Sequence, residues 1–519
     1  MTGDAPTRQM RPKRLPPSGW VWLRRGTVLL LLAGIVGIGT WQQRKPLPPG
    51  VNVATTWTPV PVADVRLLID TTTADAFGRR IMEQQIFDES LRLVREAREF
   101  IVLDMFLFNA HRGTLSAASS DNADSPRPLS RELRDTLIDA VRATPALQVL
   151  LITDPINDLY GSVPSADFAL LAAAGVEIVR TDLDQLRDSN PLYSSLWRAA
   201  VGWWSGDAQG HGWLPNPLDN EGEAVTLRSW ARLLNFKANH RKVLIADDGR
   251  GGLVGIVSSA NIHDASSAHS NLALELRGPA LLPLLASELA IARFSGGRIA
   301  AAANEVLNRS PDAPAAGAGP QVFVRTLTEA AILNAVLQRL GTARAGDQID
   351  CAMFYLSERR VIDALIAAAD RGAEVRVLLD PNRDAFGRQK GGLPNRPVAA
   401  ELVSRSDGAI KLRWYRTRGE QFHAKLMVVR SGDRAWMTTG SANFTRRNLR
   451  NFNLEANLAV EGSLEAPVFV QAQRYFETIW NNRGPTGVEY TADFGTYADP
   501  AQLSYWAYRL MEATGLSTF

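Results

Sequence analysis

Asn239-His240-Arg241-Lys242, then Val243-Leu244-Ile245-Ala246-Asp247, leads on to Ser258-Ser259-Ala260-Asn261. About 180 residues later the same grammar returns as Phe422-His423-Ala424-Lys425, then Leu426-Met427-Val428-Val429, then Gly440-Ser441-Ala442-Asn443. The chain holds six His, and seven Lys among its 57 basic residues. With both so scarce, two His-x-Lys matches have a chance of well under ~1%, before the Ser-x-Asn is counted. One such tripeptide on a strand is usually a surface pair. Two, each followed by its Ser-x-Asn, imply two half-sites that meet in one active site.

The flanking pattern repeats as well. In the second half, Ala331–Gly341 has helical apolar spacing and Ile349–Leu356 reads as a strand. Val361–Arg371 is an amphipathic helix stopped by Gly372, and Val375–Leu379 is a buried strand followed by Asp380-Pro381. Ile410–Tyr415 is a further strand, and His423–Val429 carries the motif. The first half gives Leu91–Arg98 and Leu133–Arg142 as helices. Its strands are Ile101–Phe108, Val149–Thr153 (again followed by Asp-Pro, Asp154-Pro155), Val176–Arg180 and His240–Ala246. Helices alternating with short apolar strands predict an α/β fold of two tandem domains related by pseudo-two-fold symmetry around one active site. The expected domains are residues 62–308 and 321–519, joined by a Pro/Gly/Ala-rich linker at 309–320. Two insertions mark the first: a Ser-rich loop, 109–130, and a segment, 189–234, holding five of the 13 Trp. Trp197, Trp203, Trp204, Trp213 and Trp230 either form a lip at a lipid interface or over the site, or pack a local helical hairpin.

At 519 residues, 45% hydrophobic and 21% charged, the chain is a multidomain globular protein. A net charge of +3 argues only weakly for nucleic acid, because much of the excess sits at the N-terminus. The single Cys351 excludes an internal disulfide and a Cys-cluster metal site. Residues 1–25 form a basic segment with one acidic residue, Asp4. An uncharged apolar run, 26–41, follows, and then a Pro-rich spacer, 42–61. The run reads as a single-pass anchor with Trp20, Trp22 and Trp41 at the interfaces. The competing reading is a cleaved signal peptide. Basic residues on one flank place residues 1–25 in the cytoplasm and the rest beyond the membrane, which is the periplasm in a Gram-negative bacterium.

On a strand, residues i and i+2 share a face, so His240 projects with Lys242 and His423 with Lys425. Ser259, Asn261, Ser441 and Asn443 lie past the next strand, where a turn can aim them back. Face to face, the halves offer a metal-free pocket for a phosphate diester. The Lys and Asn groups would stabilise its non-bridging oxygens. One imidazole would attack phosphorus while the other protonates the leaving alcohol. Glu275 and Glu455, both in Leu-Glu contexts, are each expected to hold an imidazole's other nitrogen, the alternative being a solvated strand end. Asp247 is either part of the catalytic shell or a capping residue. His263 and His269 read as substrate-loop or surface residues rather than metal ligands.

The pattern HxKxxxxD followed by GSxN, present twice, resembles the phospholipase D superfamily. The second half is most similar to the bacterial phospholipase D and cardiolipin synthase group. The carrying segments include FYLSERRVIDALIAAADRGAEVRVLLDPNRDAFG, EQFHAKLMVV and TTGSANFTRRNLRNFNLEANL. The resemblance implies a phosphohistidine intermediate, no metal, no cofactor, and transfer of a phosphatidyl group to water or another alcohol. It implies His240 as nucleophile and His423 as general acid, with the reverse left open. Two positions depart from the pattern: Arg430 stands where the family has Asp, and Ser258 where it has Gly.

The expected enzyme is therefore a membrane-bound phospholipase D or phosphatidyltransferase of the bacterial inner membrane, acting on phospholipid. The alternatives are a membrane-anchored nuclease of the same superfamily, disfavoured by the lack of a Lys/Arg stripe near either motif, and a non-catalytic membrane-tethered scaffold.

Overall fold

The computed structural model describes residues 17–75, 77–111, 126–205, 207–210, 212–218, 222–298, 300–308, 319–385, 388–389, 391–484, 487–499 and 501–519. Most of the basic segment 1–25, of the Ser-rich loop and of the linker lies outside the described residues.

Two mixed sheets dominate the α/β fold, and seven strands run through both in the same order. In the first sheet the order is Val65–Ala74, Asn271–Arg277, Leu253–Ser258, Lys242–Asp247, Phe100–Met105, Gln148–Thr153, Glu177–Arg180. In the second it is Gln321–Thr328, Ala456–Ser463, Arg434–Gly440, Lys425–Ser431, Gln348–Met353, Glu374–Leu379, Lys411–Tyr415. In each, the last three strands pair in parallel and the first five antiparallel. The central strands are buried along their whole length, which is why they read as continuous apolar runs rather than alternating ones.

One apolar core spans both sheets. Val243, Ile245, Leu272 and Leu274 from the first share it with Leu426, Val428, Leu458 and Val460 from the second. The helices Leu282–Phe294 and Pro467–Trp480 belong to the same core. Outer helices cover the far face of each sheet, Gln85–Glu96 and Leu129–Ala143 on the first and Ala330–Thr342 and Arg359–Asp370 on the second. A continuous core of this kind holds the halves in one relative position, as a shared active site requires.

Two expectations need correction. The Pro-rich stretch 42–61 is not a loose spacer. Thr58–Pro61 pairs with Gln321–Thr328 on the edge of the second sheet, and the buried Val51 offers its carbonyl to Arg241 and Thr328. These backbone bonds fix the path of a segment whose composition alone suggested freedom. The motif strands also begin later than expected, at Lys242 and Lys425 rather than at the histidines. The residues just before them pair instead across the molecule, Asn239 with Leu454 and Phe422 with Ser270.

Candidate active site

The two motif loops are held by the same set of bonds, most of which exchange between halves. The N–H two residues before each His donates to a side chain of the opposite half: Ala238 to Asn453 Oδ1 at 3.2 Å, and Gln421 to His269 Nδ1 at 3.2 Å. The next N–H donates to the repeated Asp-Pro carboxylate of its own half. Asn239 bonds Asp154 Oδ2 at 2.8 Å and Phe422 bonds Asp380 Oδ2 at 2.7 Å. The histidine N–H then crosses over, from His240 to the Leu454 carbonyl at 2.9 Å and from His423 to the Ser270 carbonyl at 2.8 Å. Each half thus builds the backbone on which the other's imidazole stands.

The imidazoles also take partners from the opposite half. His240 Nδ1 lies 2.8 Å from Glu455 Oε1. His423 Nδ1 lies 3.1 Å from Asn271 Oδ1. Strand register makes these two partners equivalent, because Ala273 pairs with Ser258 as Asn457 pairs with Gly440. Ser259 and Ser441 support the partners from behind. Ser259 Oγ bonds Asn271 Oδ1 at 3.2 Å, and Ser441 Oγ bonds the Glu455 carboxylate. Asn448 donates to Glu455 as well. Below the rings, Phe106 packs 4.8 Å from His240 and Phe354 4.9 Å from His423, centroid to centroid.

Both lysines are buried, and each turns its ammonium back onto its own histidine carbonyl, at 2.7 Å for Lys242 and 3.1 Å for Lys425. Burial lowers Lys242 from its ordinary 10.5 to about 7, against the pull of Glu455, Asp104 and Asp154. Burial also drives Lys425 well down, with Lys242 adding to the effect. The imidazoles feel both ammonium groups. Burial takes His240 to about 4, Glu455 pulls it up, and Lys242 and Lys425 push it down. Burial lowers His423 strongly, reinforced by Lys425, His269, Lys242 and His240. Glu455 stays below the usual carboxylate range. Burial raises it, but His240, Lys242 and the Ser441 hydroxyl outweigh that. This cross-talk brings both His-x-Lys motifs into one electrostatic environment.

Asn261 and Asn443 are both buried, and the side-chain Oδ1 of each has no hydrogen-bond partner. Only the Nδ2 group of each amide can donate to an oxyanion, since a carboxamide oxygen accepts. Among the described residues no group of three or more His, Cys, Asp or Glu side chains is placed to hold a metal ion.

Two of the three acids singled out from sequence sit differently from the expectation, and the third, Asp247, takes the capping alternative. Glu455 meets an imidazole, but that of the other half. Glu275 meets neither: it lies four residues beyond Asn271 on the same strand, bound to Arg66 and, at 2.9 Å, to Arg277. Asp247 is at the far end of its strand, where it accepts the backbone N–H groups of Arg98, Glu99, Phe100 and Gly249. It ties the turn before Phe100–Met105 to the motif strand. At the matching position Arg430 pairs with Asp350, which also binds Arg376 at 2.7 Å, so an ion cluster replaces the carboxylate anchor. Ser258, the other departure, takes the Ala260 N–H on its hydroxyl at 2.7 Å. Its counterpart Gly440 has φ +154° and no space for a Cβ against the Ala456 carbonyl.

Three residues were missed from sequence. Asn271 carries no acid to draw attention. His269, read as a substrate-loop or surface residue, is buried with its ring 6.0 Å from that of His423. Arg241, the middle residue of the first motif, is fully buried between Glu288 at 3.0 Å and Glu329 at 2.7 Å, and Glu329 in turn accepts the Glu455 N–H.

Residues 336–480 match the family model described as the cardiolipin synthase, phospholipase D-like domain. That match lies within the second half and takes in its His-x-Lys and Ser-x-Asn motifs, so this part of the chain is similar to a phospholipase D-like domain. The crystal structure of phosphatidylserine synthase from Haemophilus influenzae Rd KW20 is similar over 92% of this chain and 98% of that one, at 11% identity and a TM-score of 0.51. At that identity the likeness is one of fold, and it extends along nearly the whole length of both chains. Two further structures superpose too loosely to bear on the argument. One is polyphosphate kinase from Porphyromonas gingivalis (12% identity, 83% of this chain and 52% of that one, TM-score 0.39). The other is the phospholipase D family member Nuc from Salmonella typhimurium (19% identity, 30% and 95%, TM-score 0.25). No curated protein matches the chain.

Proposed function

We propose that the chain is a phosphatidyltransferase or phospholipase D that works through a phosphohistidine. The carrying observation is the Glu455–His240 pair at 2.8 Å, set beside a second, amide-held imidazole. With Nδ1–H donated to Glu455, His240 keeps a bare Nε2 for attack on phosphorus. Burial and the two lysines favour that neutral ring. The new P–N bond replaces the P–O bond to the leaving alcohol, which takes a proton from His423. Once phosphorylated at Nε2, the ring is cationic, and Glu455 stabilises it. Water or an acceptor alcohol then attacks phosphorus as His423 takes back the proton and the P–N bond breaks. Lys242 and Lys425 compensate the phosphoryl oxygens, with Asn261 and Asn443 as further donors. An entering anion raises His423 toward protonation, against the burial and neighbouring cations that lower it.

The family match to a cardiolipin synthase-type domain supports phospholipid as substrate, and so does the N-terminal helix. Pro17–Arg44 includes a candidate span from Trp20 to Arg44, whose most apolar 18-residue window has mean hydropathy 1.7 and is not buried in the protein. We read it as a bilayer anchor with the catalytic body on the extracytoplasmic side. The test is purified protein in detergent with phosphatidylglycerol and phosphatidylethanolamine, with and without added alcohol, products read by mass. Phosphatidic acid, or a new phosphatidyl ester, is expected, with turnover surviving a chelator. No lipid product alongside cleavage of a DNA or RNA diester would favour a nuclease. A reporter fused at the C-terminus that works only in the cytoplasm would reverse the orientation.

A further inference from the structure

The apolar run of the N-terminal helix extends from Gly26 to Trp41. Gly39 lies two residues inside its end, about 3 Å along the axis. There the helix packs directly on the insertion helix Pro191–Leu196, and a Cβ at Gly39 would stand 2.5 Å from Ser195 Oγ. Polar bonds lock the joint just beyond: Asp188 N–H to the Gln42 carbonyl at 3.2 Å, Lys45 Nζ to the Asp184 carbonyl at 2.6 Å, and Arg187 to the Lys45 carbonyl at 2.7 Å. Whatever packs on Gly39 sits at the edge of the hydrocarbon if the helix crosses a bilayer. The insertion helix meets that condition, and its outward residues suit it. Leu192 and Leu196, one turn apart, are 65% and 46% exposed, and Trp203 and Trp213 further along are 85% and 73% exposed.

The C-terminal helix Gln502–Thr514 reaches the same joint. Gly515 closes against the Ser189 carbonyl, Arg446 bonds that carbonyl at 3.2 Å, and Arg447 bonds the Gly515 carbonyl at 2.9 Å. One side of this helix is tied inward, through Tyr508 to Glu401 at 2.9 Å. On the other side Leu503, Trp506 and Leu510, spaced i, i+3, i+7, are 62–83% exposed. A soluble surface would put charge there.

We infer that the insertion helix with Trp203 and Trp213, together with the outer stripe of the C-terminal helix, is a lipid-docking face that seats the catalytic body on the bilayer beside its anchor. Bulky Leu and Trp side chains are the composition that an acyl–headgroup boundary accepts. The face is linked to both motif loops. Ser189 Oγ bonds the Phe236 carbonyl at 3.3 Å, four residues before His240. Phe519, beyond the C-terminal helix, packs 6.0 Å from Tyr355, whose ring lies tilted 4.0 Å from the Phe354 ring beneath His423. Docking would therefore bring the cleft to the lipid rather than leave it hanging on one helix.

The inference rests on the anchor reading and not on the catalytic one. Its test uses full-length protein in phosphatidylglycerol/phosphatidylethanolamine vesicles, carrying an environment-sensitive fluorophore on one introduced Cys in a Cys351→Ala background. Leu30→Cys reports the anchor, Leu196→Cys and Leu510→Cys the docking face, and Asp139→Cys an exposed site on another helix. Quenching by nitroxide-bearing lipids should be about twofold or more stronger at 30, 196 and 510 than at 139. Strong quenching at 30 with 196 or 510 matching 139 would overturn the docking face and leave the anchor standing. No quenching at 30 would overturn both. Shielding of 510 from aqueous iodide without lipid quenching would mean that another copy or protein covers it, which also overturns the proposal.

Discussion

His240 leans on a carboxylate and His423 on an amide, although the two positions are equivalent in the strand register. The rest of the scaffold is nearly the same twice over, from the Asp-Pro carboxylates to the lysines folded back on their histidines. A duplicated site is thus differentiated by one side chain behind each ring. A carboxylate stabilises a positive ring and suits a histidine that carries a phosphoryl group. An amide cannot supply that charge and suits a ring that passes a proton on and off.

The largest effects should come from removing either ring. His240→Ala and His423→Ala should each lower turnover by about 10⁴-fold or more, since nucleophile and acid act as a unit. A phosphodiester with a nitrophenol leaving group, which departs without a proton, separates them. His423→Ala should still release nitrophenol in a burst and retain labelled phosphoryl on the protein, while His240→Ala should do neither. The opposite pattern would exchange the two roles.

Next comes the partner itself. Glu455→Gln keeps the shape and removes the charge, and kcat should fall by roughly 10²–10⁴-fold. Asn271→Asp should instead keep activity within about tenfold and shift the acid-side pH dependence, because a carboxylate beside His423 favours its protonated form. Equal losses in the two variants would erase the asymmetry between halves.

Much of this was legible in sequence because it is local. His-x-Lys, Ser-x-Asn and Asp-Pro each mark one turn or strand entrance, and each recurs. Partner exchange between halves was not legible, since nothing local to Glu455 says that it serves His240 rather than His423. Glu275 was chosen by its Leu-Glu context, yet it lies 16 residues after Ser259 while Glu455 lies 14 after Ser441. Asn271, 12 residues after Ser259, holds the place. Aligning Ser270-Asn271 with Leu454-Glu455 by where each strand begins would have found it. The Pro-rich stretch misled for a related reason: its partners lie far away in the chain, as in the Thr328 hydroxyl that donates to the Val51 carbonyl.

The lysines offer a stability test of the same pocket. Lys242→Met should abolish turnover but leave the protein as stable or more so, because an ammonium is no longer buried beside a second one. The sign follows from proton counts. Lys242 titrates near 7 when folded and near 10.5 when unfolded, so between those values the unfolded chain binds more protons and stability rises with pH. The cost of charging it is full below about 7 and fades toward 10.5. The Tm advantage of Lys242→Met should therefore be greatest below pH 7 and shrink as pH rises. A constant advantage across pH 6 to 10 would mean that the pocket does not resist the charge.

The smallest effect on chemistry should come from the two acids that the motif context singles out but the fold sets apart. Asp247→Ala strands the N–H groups of residues 98–100, that of Phe100 buried, so stability should drop by about 1–3 kcal/mol while kcat of the folded fraction changes little. Glu275→Gln should do less still. Its carboxylate is buried among Arg66, Arg277 and Arg92 at the side of the sheet, and no bond connects it to His423. Loss of that charge weakens a partly exposed cluster, which costs about 1 kcal/mol or less. Turnover should stay within about twofold, with an unchanged pH profile, because the group behind His423 is Asn271. A kcat loss comparable to that of Glu455→Gln would restore Glu275 as an orienting acid and undo the comparison between the halves.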